Sequence, residues 1–423
     1  MRRVLAAIVA TTLLGLTALG ILVGLSVWWP RAGRAPTPFP SSTAAPSETP
    51  SPEPHRLTLP NVSVRGATAT PTIALAQIVL PTPIPPTPQP AIAPAAAPTR
   101  ALTSAAALAA SSDRCAGIVT RVGAHLALDG KPFRFLGTNS AYFMESYFPE
   151  TEIAPILAFI GETFPNAVLR LWVFPGWDLD RLGRMLDAGT KHGVRFLLTL
   201  DDYHRGKSEH WFQSTFRMEY LPHVKAVVER FRGHPAVMGW ELMNEPTCGP
   251  QGFSQGCLDA EFGWVKETSE AIKALDPCRP VSVGTTGYLW GSEPDRTNFR
   301  RMHALPSVDL VSIHKQVGSE EEDIVDVARD LGKPWFFGEV YYRVYDDACR
   351  PIRTEMLGER ADAVAADIRK SLDAGASGYL LWQYAAGPVD MGGRIQWFCG
   401  WYEYFRDDPA HARIRDTDWG LGR

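Results

Sequence analysis

No CxxC pair and no cluster of histidines occurs in the 423 residues, which excludes the usual metal frameworks. A Gly-rich phosphate loop is missing after the first apolar run, so a doubly wound nucleotide-binding sheet is disfavoured. No repeat of about 20 to 50 residues is present, which removes solenoids and propellers. Nor is there a basic excess: a formal net charge of −4 and a sequence pI near 6.2 argue against a nucleic-acid partner. Residues 4–29 lack any charge and come directly after Arg2 and Arg3. A cleaved signal peptide has an apolar core of about 7–15 residues, whereas spanning a bilayer takes roughly 20. Residues 1–29 are therefore expected to form a signal anchor, or a long signal peptide if cleaved, placing the rest of the chain outside the cell. Arg31 and Arg34 balance Arg2 and Arg3, so charge leaves the orientation open.

Proline is abundant in the next stretch. About half of the 35 prolines fall within residues 30–112, among Thr, Ser and Ala. Such a segment lacks the apolar surface that would offset the entropy of ordering, and predicts a disordered, extended linker. All six cysteines lie beyond it: Cys115, Cys248, Cys257, Cys278, Cys349 and Cys399. Their even number in an exported domain points to disulfides. Cys248 and Cys257, flanking a Gly-rich loop, are the expected pair.

Residues 113–423 alternate between short apolar runs and helical patterns. The runs are FRFLGTN (133–139), AVLRLWVF (167–174), VRFLLTL (194–200), AVMGWELMN (236–244), PVSVGTT (280–286), VDLVSIH (308–314), PWFFGE (334–339) and GYLLWQY (378–384). Eight such runs without clean alternation suit strands buried on both faces. Between them, Leu179, Leu182, Met185 and Leu186 fit one helical face, as do Val224, Val227, Val228 and Phe231, and Ala361, Val364, Ala365, Ile368 and Leu372. The pattern predicts a (β/α)8 barrel over 113–423, with the ends of the strands facing one pocket. Those ends carry Asn139, Tyr142, Arg170, Trp172, Asp201, Asp202, His204, Asn244, Glu245, His314, Glu339, Trp382 and Gln383. Glu245 closes the fourth run and Glu339 the seventh, so two carboxylates could flank one scissile bond. Trp211 and Trp290 read first as packing residues, though their loop-like context would also suit outer subsites.

WELMNEP, followed by FFGE, with LRLW, IH and LLWQ at the other strand ends, resembles the retaining glycoside hydrolases with (β/α)8 barrels, and family 5 most of all. The resemblance spans roughly residues 117–407. It implies Glu245 as acid/base, Glu339 as nucleophile, Asn244 at the sugar 2-hydroxyl, Arg170 supporting the nucleophile, His314 lining the site and Trp382 as sugar platform. Trp172, Asn139, Tyr142 and His204 join them as expected substrate-binding residues. GTNSAYF, LRLWVF and SVGTTGY are similar to the endo-β-1,4-mannanases of the family, whereas LDDYH is closer to its cellulases. The implied function is hydrolysis of mannan or glucomannan by a monomer that needs no cofactor or metal. The alternatives are an endo-β-1,4-glucanase acting on β-glucan and a non-catalytic sugar-binding barrel. The family's sixth strand often ends His-x-Tyr, but here the residues are His314-Lys315-Gln316, leaving Tyr341 or Tyr342 to fill that space.

Overall fold

The computed structural model describes residues 115–421, apart from 206, 248–253, 288–292, 320, 347–349, 391–394 and 399–401. The expected anchor, the linker, Cys248 and Trp290 lie outside the described residues. Among the described residues, no helix is long and apolar enough to cross a membrane.

Three short antiparallel strands come first: β1 (Val119–Val122), β2 (His125–Leu128) and β3 (Lys131–Pro132). Eight parallel strands come next: β4 (Phe135–Ser140), β5 (Val168–Trp172), β6 (Arg195–Thr199), β7 (Val237–Glu241), β8 (Val281–Ser282), β9 (Val311–Gln316), β10 (Trp335–Tyr341) and β11 (Gly378–Leu381). Their order is β8-β7-β6-β5-β4-β11-β10-β9, and a parallel bridge between Ser282 and Leu310 joins the two outer members. The barrel predicted from the eight apolar runs is therefore present. Nearly every residue of these strands is buried, because the lumen is filled on one side and helices cover the other.

The helices are α1 (Glu150–Thr163), α2 (Leu179–His192), α3 (Glu209–Gln213), α4 (Tyr220–Phe231), α5 (Gln255–Leu275), α6 (Glu293–Ala304), α7 (Glu322–Asp330), α8 (Met356–Asp373) and α9 (Pro409–Asp416). Local chemistry bounds them. At the start of α2 the Asp178 carboxylate accepts from the N–H groups of Asp180 and Arg181, and Gly193 ends it in a left-handed conformation with φ 71°. Leu182, Met185 and Leu186 form its buried face, as their spacing predicts.

Low in the lumen, Phe135, Val168, Leu197, Met238, Leu310, Phe336 and Leu380 pack together, and Val119, Leu126 and Phe133 from the β1–β3 segment join the same cluster. A Cys115–Cys278 disulfide ties the start of this segment to the loop between α5 and β8. Closing a loop of 163 residues stabilises the fold by about 5 kcal/mol in the chain-entropy view. Cys257 is also disulfide-bonded.

Two strands break the two-residue alternation. Met238 lies in the lumen cluster, and Glu241, three residues later, bonds to groups from β5, β6 and β8. Both can face inward because the β6–β7 register shifts between Phe196 and Leu197. In β10 the same holds for Phe336 and Glu339, with the shift between Phe337 and Glu339. Gly338 fills that step because a Cβ there would stand 2.5 Å from Ser312 Oγ and 3.2 Å from His314 Nε2.

Candidate active site

Above the apolar layer the lumen turns polar around one buried cation. Arg170 on β5 is fully buried, and its guanidinium makes four hydrogen bonds to protein groups. Nε donates to Glu241 at 2.5 Å, Nη1 to Glu339 at 2.5 Å and Asn139 at 3.2 Å, and Nη2 to Asn244 at 2.8 Å. Burial works against the charge, but Glu241 and Glu339 outweigh it and hold the guanidinium firmly protonated. Trp172 lies under the guanidinium, 4.5 Å from ring centre to Cζ.

Glu339 is 2% exposed. One oxygen accepts from Arg170 and the other from the Tyr341 hydroxyl. Tyr341, from the same strand, thus supplies a tyrosine hydroxyl beside Glu339 where the His-x-Tyr pattern is missing. Lys315 instead points toward α8, pairing with Asp367 at 2.9 Å. Burial pushes the Glu339 carboxyl up, and His314, Arg170 and Tyr341 only partly oppose it.

Glu245 lies just past β7 in a left-handed conformation, φ 48°, which costs a glutamate roughly 1–3 kcal/mol. Neighbouring strands fix that backbone: Glu245 N–H donates to Gly284 O at 2.9 Å, and Asn244 C=O accepts from Tyr203 N–H at 3.0 Å. Both carboxylate oxygens meet imidazoles, His314 Nδ1 at 2.8 Å and His204 Nε2 at 3.2 Å. Burial would raise this carboxyl, but the two imidazoles hold it well below the usual carboxylate range. His204 is desolvated, yet its bond to Glu245 and the charge of Asp202 raise it to about 9.

Ligand-capable atoms of Glu245, His314 and Glu339 all lie within 4.8 Å of one another. They could also present one nitrogen and two oxygens to a divalent ion. Trp382, half-buried, stands at the mouth with its ring 5.6 Å from Trp172 and 6.0 Å from Tyr341.

The remaining expected residues lie deeper than their strand-end positions suggested. Asn139 is buried, its amide donating to the carbonyls of Gly338 and Leu381 at 2.9 and 3.0 Å. Tyr142 packs on Phe143 and Phe148 and donates to Tyr384 O. Trp172 is 1% exposed, and its indole N–H donates to Asp202 at 2.9 Å. These three are engaged by protein groups around the site. Asn244 is also held, its amide donating to Asp202 at 3.2 Å. Trp211 packs in a buried aromatic group with Tyr220 and Trp264, in line with its reading as a packing residue. Glu241 was absent from the sequence-based site, although a lone carboxylate inside an apolar strand is itself a signal.

Fold and paired carboxylates together are similar to those of the (β/α)8 glycoside hydrolases. Residues 185–320 match a family model described as GH family 5 beta-mannosidase-like. The chain is 27% identical over 318 residues to a probable mannan endo-1,4-beta-mannosidase F of Aspergillus flavus, covering 62% of this chain and 65% of that protein. It is 30% identical over 259 residues to mannan endo-1,4-beta-mannosidase F of Aspergillus fumigatus, covering 52% and 56% respectively. The chain thus spans less than two thirds of the length of these curated relatives. The endo-beta-1,4-mannanase structure from Thermotoga petrophila superposes with TM-score 0.55 at 19% identity over 68% of this chain and 77% of that one. The endo-1,4-beta-mannanase from Rhizomucor miehei gives TM-score 0.53 at 20% identity, over 70% and 97%. The middle of the barrel is thus similar to the glycoside hydrolase family 5 mannosidases, and its fold is that of the solved mannanases.

Proposed function

We propose that the chain is a retaining endo-β-1,4-mannanase, with Glu339 as nucleophile and Glu245 as acid/base. One observation carries the chemistry: carboxylate oxygens of Glu245 and Glu339 lie within 4.8 Å, near the roughly 5–5.5 Å of retaining enzymes and short of the roughly 6.5–9.5 Å of inverting ones. Glu339 attacks the anomeric carbon as the bond to the leaving oxygen breaks, and the Glu245 proton goes to that oxygen. Water, deprotonated by Glu245, then releases the sugar from Glu339.

The resting site favours an ionised Glu245, so its acid role needs substrate. A glycosidic oxygen entering between Glu245 and His204 displaces the imidazole, and burial then raises the carboxyl toward the protonated form. Arg170 and Tyr341 orient Glu339, Asn244 faces the sugar 2-hydroxyl, and Trp382 stacks on a pyranose face. Mannan as substrate is supported by the names of the curated relatives, and glucomannan is the related polymer that shares its β-1,4-linked mannose. An extracellular domain, as a monomer on a linker and N-terminal anchor, agrees with the Cys115–Cys278 disulfide.

The test is sugar release from galactomannan, glucomannan, carboxymethylcellulose and mixed-linkage glucan, with proton NMR of the first product anomer. Release of β-anomer from the mannans is expected. Activity confined to glucans would move the substrate to cellulose-type polymers, and initial α-anomer would overturn the double displacement.

A further inference from the structure

Glu241 has no part in the chemistry just described, yet it is among the most completely bonded side chains near the site. It is fully buried. Oε1 accepts from Arg170 Nε at 2.5 Å and Thr199 Oγ1 at 2.9 Å, and Oε2 from Ser282 Oγ at 3.2 Å. Donors from β5, β6 and β8 thus converge on one carboxylate in the middle of the barrel. Gly284, φ 90°, lies against it: a Cβ there would meet Glu241 Cγ at 2.9 Å and Met243 O at 1.9 Å, so the backbone is drawn close around the group.

Arg170 lies between two carboxylates of different fate. Glu339 loses its charge when it forms an ester with the sugar and regains it when water releases the sugar. Were Glu339 the only partner, that ester would strand a buried, unpaired guanidinium, and the same cation would bind ionised Glu339 so firmly that attack would be disfavoured.

We propose, on the reading of Glu339 as nucleophile, that Glu241 is a positioning residue that keeps Arg170 neutralised throughout the cycle. Its bond to Nε also turns the fork so that both Nη groups face Glu339 and Asn244. Glu339 then feels a shared cation, attacks more readily, and leaves a balanced pair behind when esterified. The other groups facing Glu339 are His314 from β9, Tyr341 from β10, Glu245 beyond β7 and, at longer range, His204 beyond β6. Arg170 Nε itself is engaged by Glu241.

The experiment measures the pH profile of kcat/KM on a dinitrophenyl β-mannobioside, whose leaving group needs no acid, for the full chain and three variants. Glu241→Gln keeps the shape and removes the charge; Arg170 then serves Glu339 alone, and the acid limb should fall by about one pH unit with kcat reduced about 10²-fold. Glu241→Asp keeps the charge and should hold the acid limb at its wild-type position despite a lower rate. Ser282→Ala removes one donor from Glu241, which then draws harder on Arg170, so the acid limb should move slightly upward. An unmoved acid limb in Glu241→Gln with kcat within about threefold of wild type would overturn the proposal. A downward shift in Glu241→Asp matching that of the Gln variant would do the same. If Glu241→Gln fails to fold, a downward shift of the acid limb in either Glu241→Asp or Ser282→Ala would overturn the proposal. Labelling with a 2-deoxy-2-fluoro mannoside separates the two readings: a label elsewhere than Glu339 removes the assigned nucleophile, whereas labelled Glu339 with an unmoved acid limb removes only the role of Glu241.

Discussion

β7 and β10 both carry a large apolar residue in the lumen and, three positions later, an inward glutamate made possible by a register shift. Met238 precedes Glu241 and Phe336 precedes Glu339, and both glutamates bind the same guanidinium. They differ in what holds the second oxygen. Glu241 is closed off by Ser282, with Thr199 on the other oxygen, whereas Glu339 meets a tyrosine and has His314 3.6 Å away at the mouth. The same local device thus makes a carboxylate enclosed by donors in one strand and one that faces Glu245 and His314 in the other, and the surrounding groups decide which.

The contrast extends to the helices behind. On the β10 side, Asp367 of α8 is paired with Lys315 and accepts from Tyr379 at 2.7 Å. On the β7 side, buried Glu261 of α5 accepts from the neutral Asn298 amide at 2.7 Å, and burial together with Asp295 raises it to about 8.

The comparison can be broken most severely at the carboxylate that faces Glu245. Glu339→Ala should cost at least about 10⁴-fold in kcat while leaving the circular dichroism spectrum unchanged. Retention of a tenth of the activity would remove Glu339 from the chemistry. Next in size is Asp367→Ala, which strands Lys315 and should cost about 3–5 kcal/mol in urea unfolding; a loss below about 1 kcal/mol would mean water reaches the lysine. Tyr341→Phe removes a donor to ionised Glu339. The acid limb of kcat/KM should move up, opposite to Glu241→Gln, with kcat down about 10–10²-fold; a downward shift would contradict the contact. Last comes Glu261→Gln, whose effect should fall on stability and leave turnover unchanged. Its native pKa stands above the unfolded value near 4.3, so its burial favours folding least once pH has risen through about 8. The variant should gain stability over wild type progressively between about pH 4 and 8 and hold the gain above. A gain that is constant with pH would show that the carboxyl does not titrate there.

Barrel and paired carboxylates were legible because the eight apolar runs are short, separated by amphipathic helices, and end in polar residues. Glu241 escaped for a geometric reason. Counting by twos from Met238 puts it on the outer face, and only the register shift turns it inward. The same count misplaces Glu339 relative to Phe336, but its FFGE context pointed to the site independently. From Glu339 alternation resumes, so Tyr341 and not Tyr342 shares its face, a choice that only the register decides. Depth was the other blind spot. Asn139, Tyr142 and Trp172 do stand at strand ends, yet the β11 end and the segment after it, reaching them from more than 200 residues away, cover or engage them. That covering is a long-range consequence of barrel closure which no local pattern contains.

The Cys115–Cys278 bond gives the barrel a mechanical anchor point. Tension carried along the chain that precedes residue 115 reaches the domain at Cys115 and passes covalently into the loop between α5 and β8. A pull applied on the N-terminal side of Cys115 therefore does not peel β1–β3 away from the lumen residues they pack against. Reduction would reroute that tension through the few hydrogen bonds of a short antiparallel segment, and the floor of the barrel would become the first part to yield.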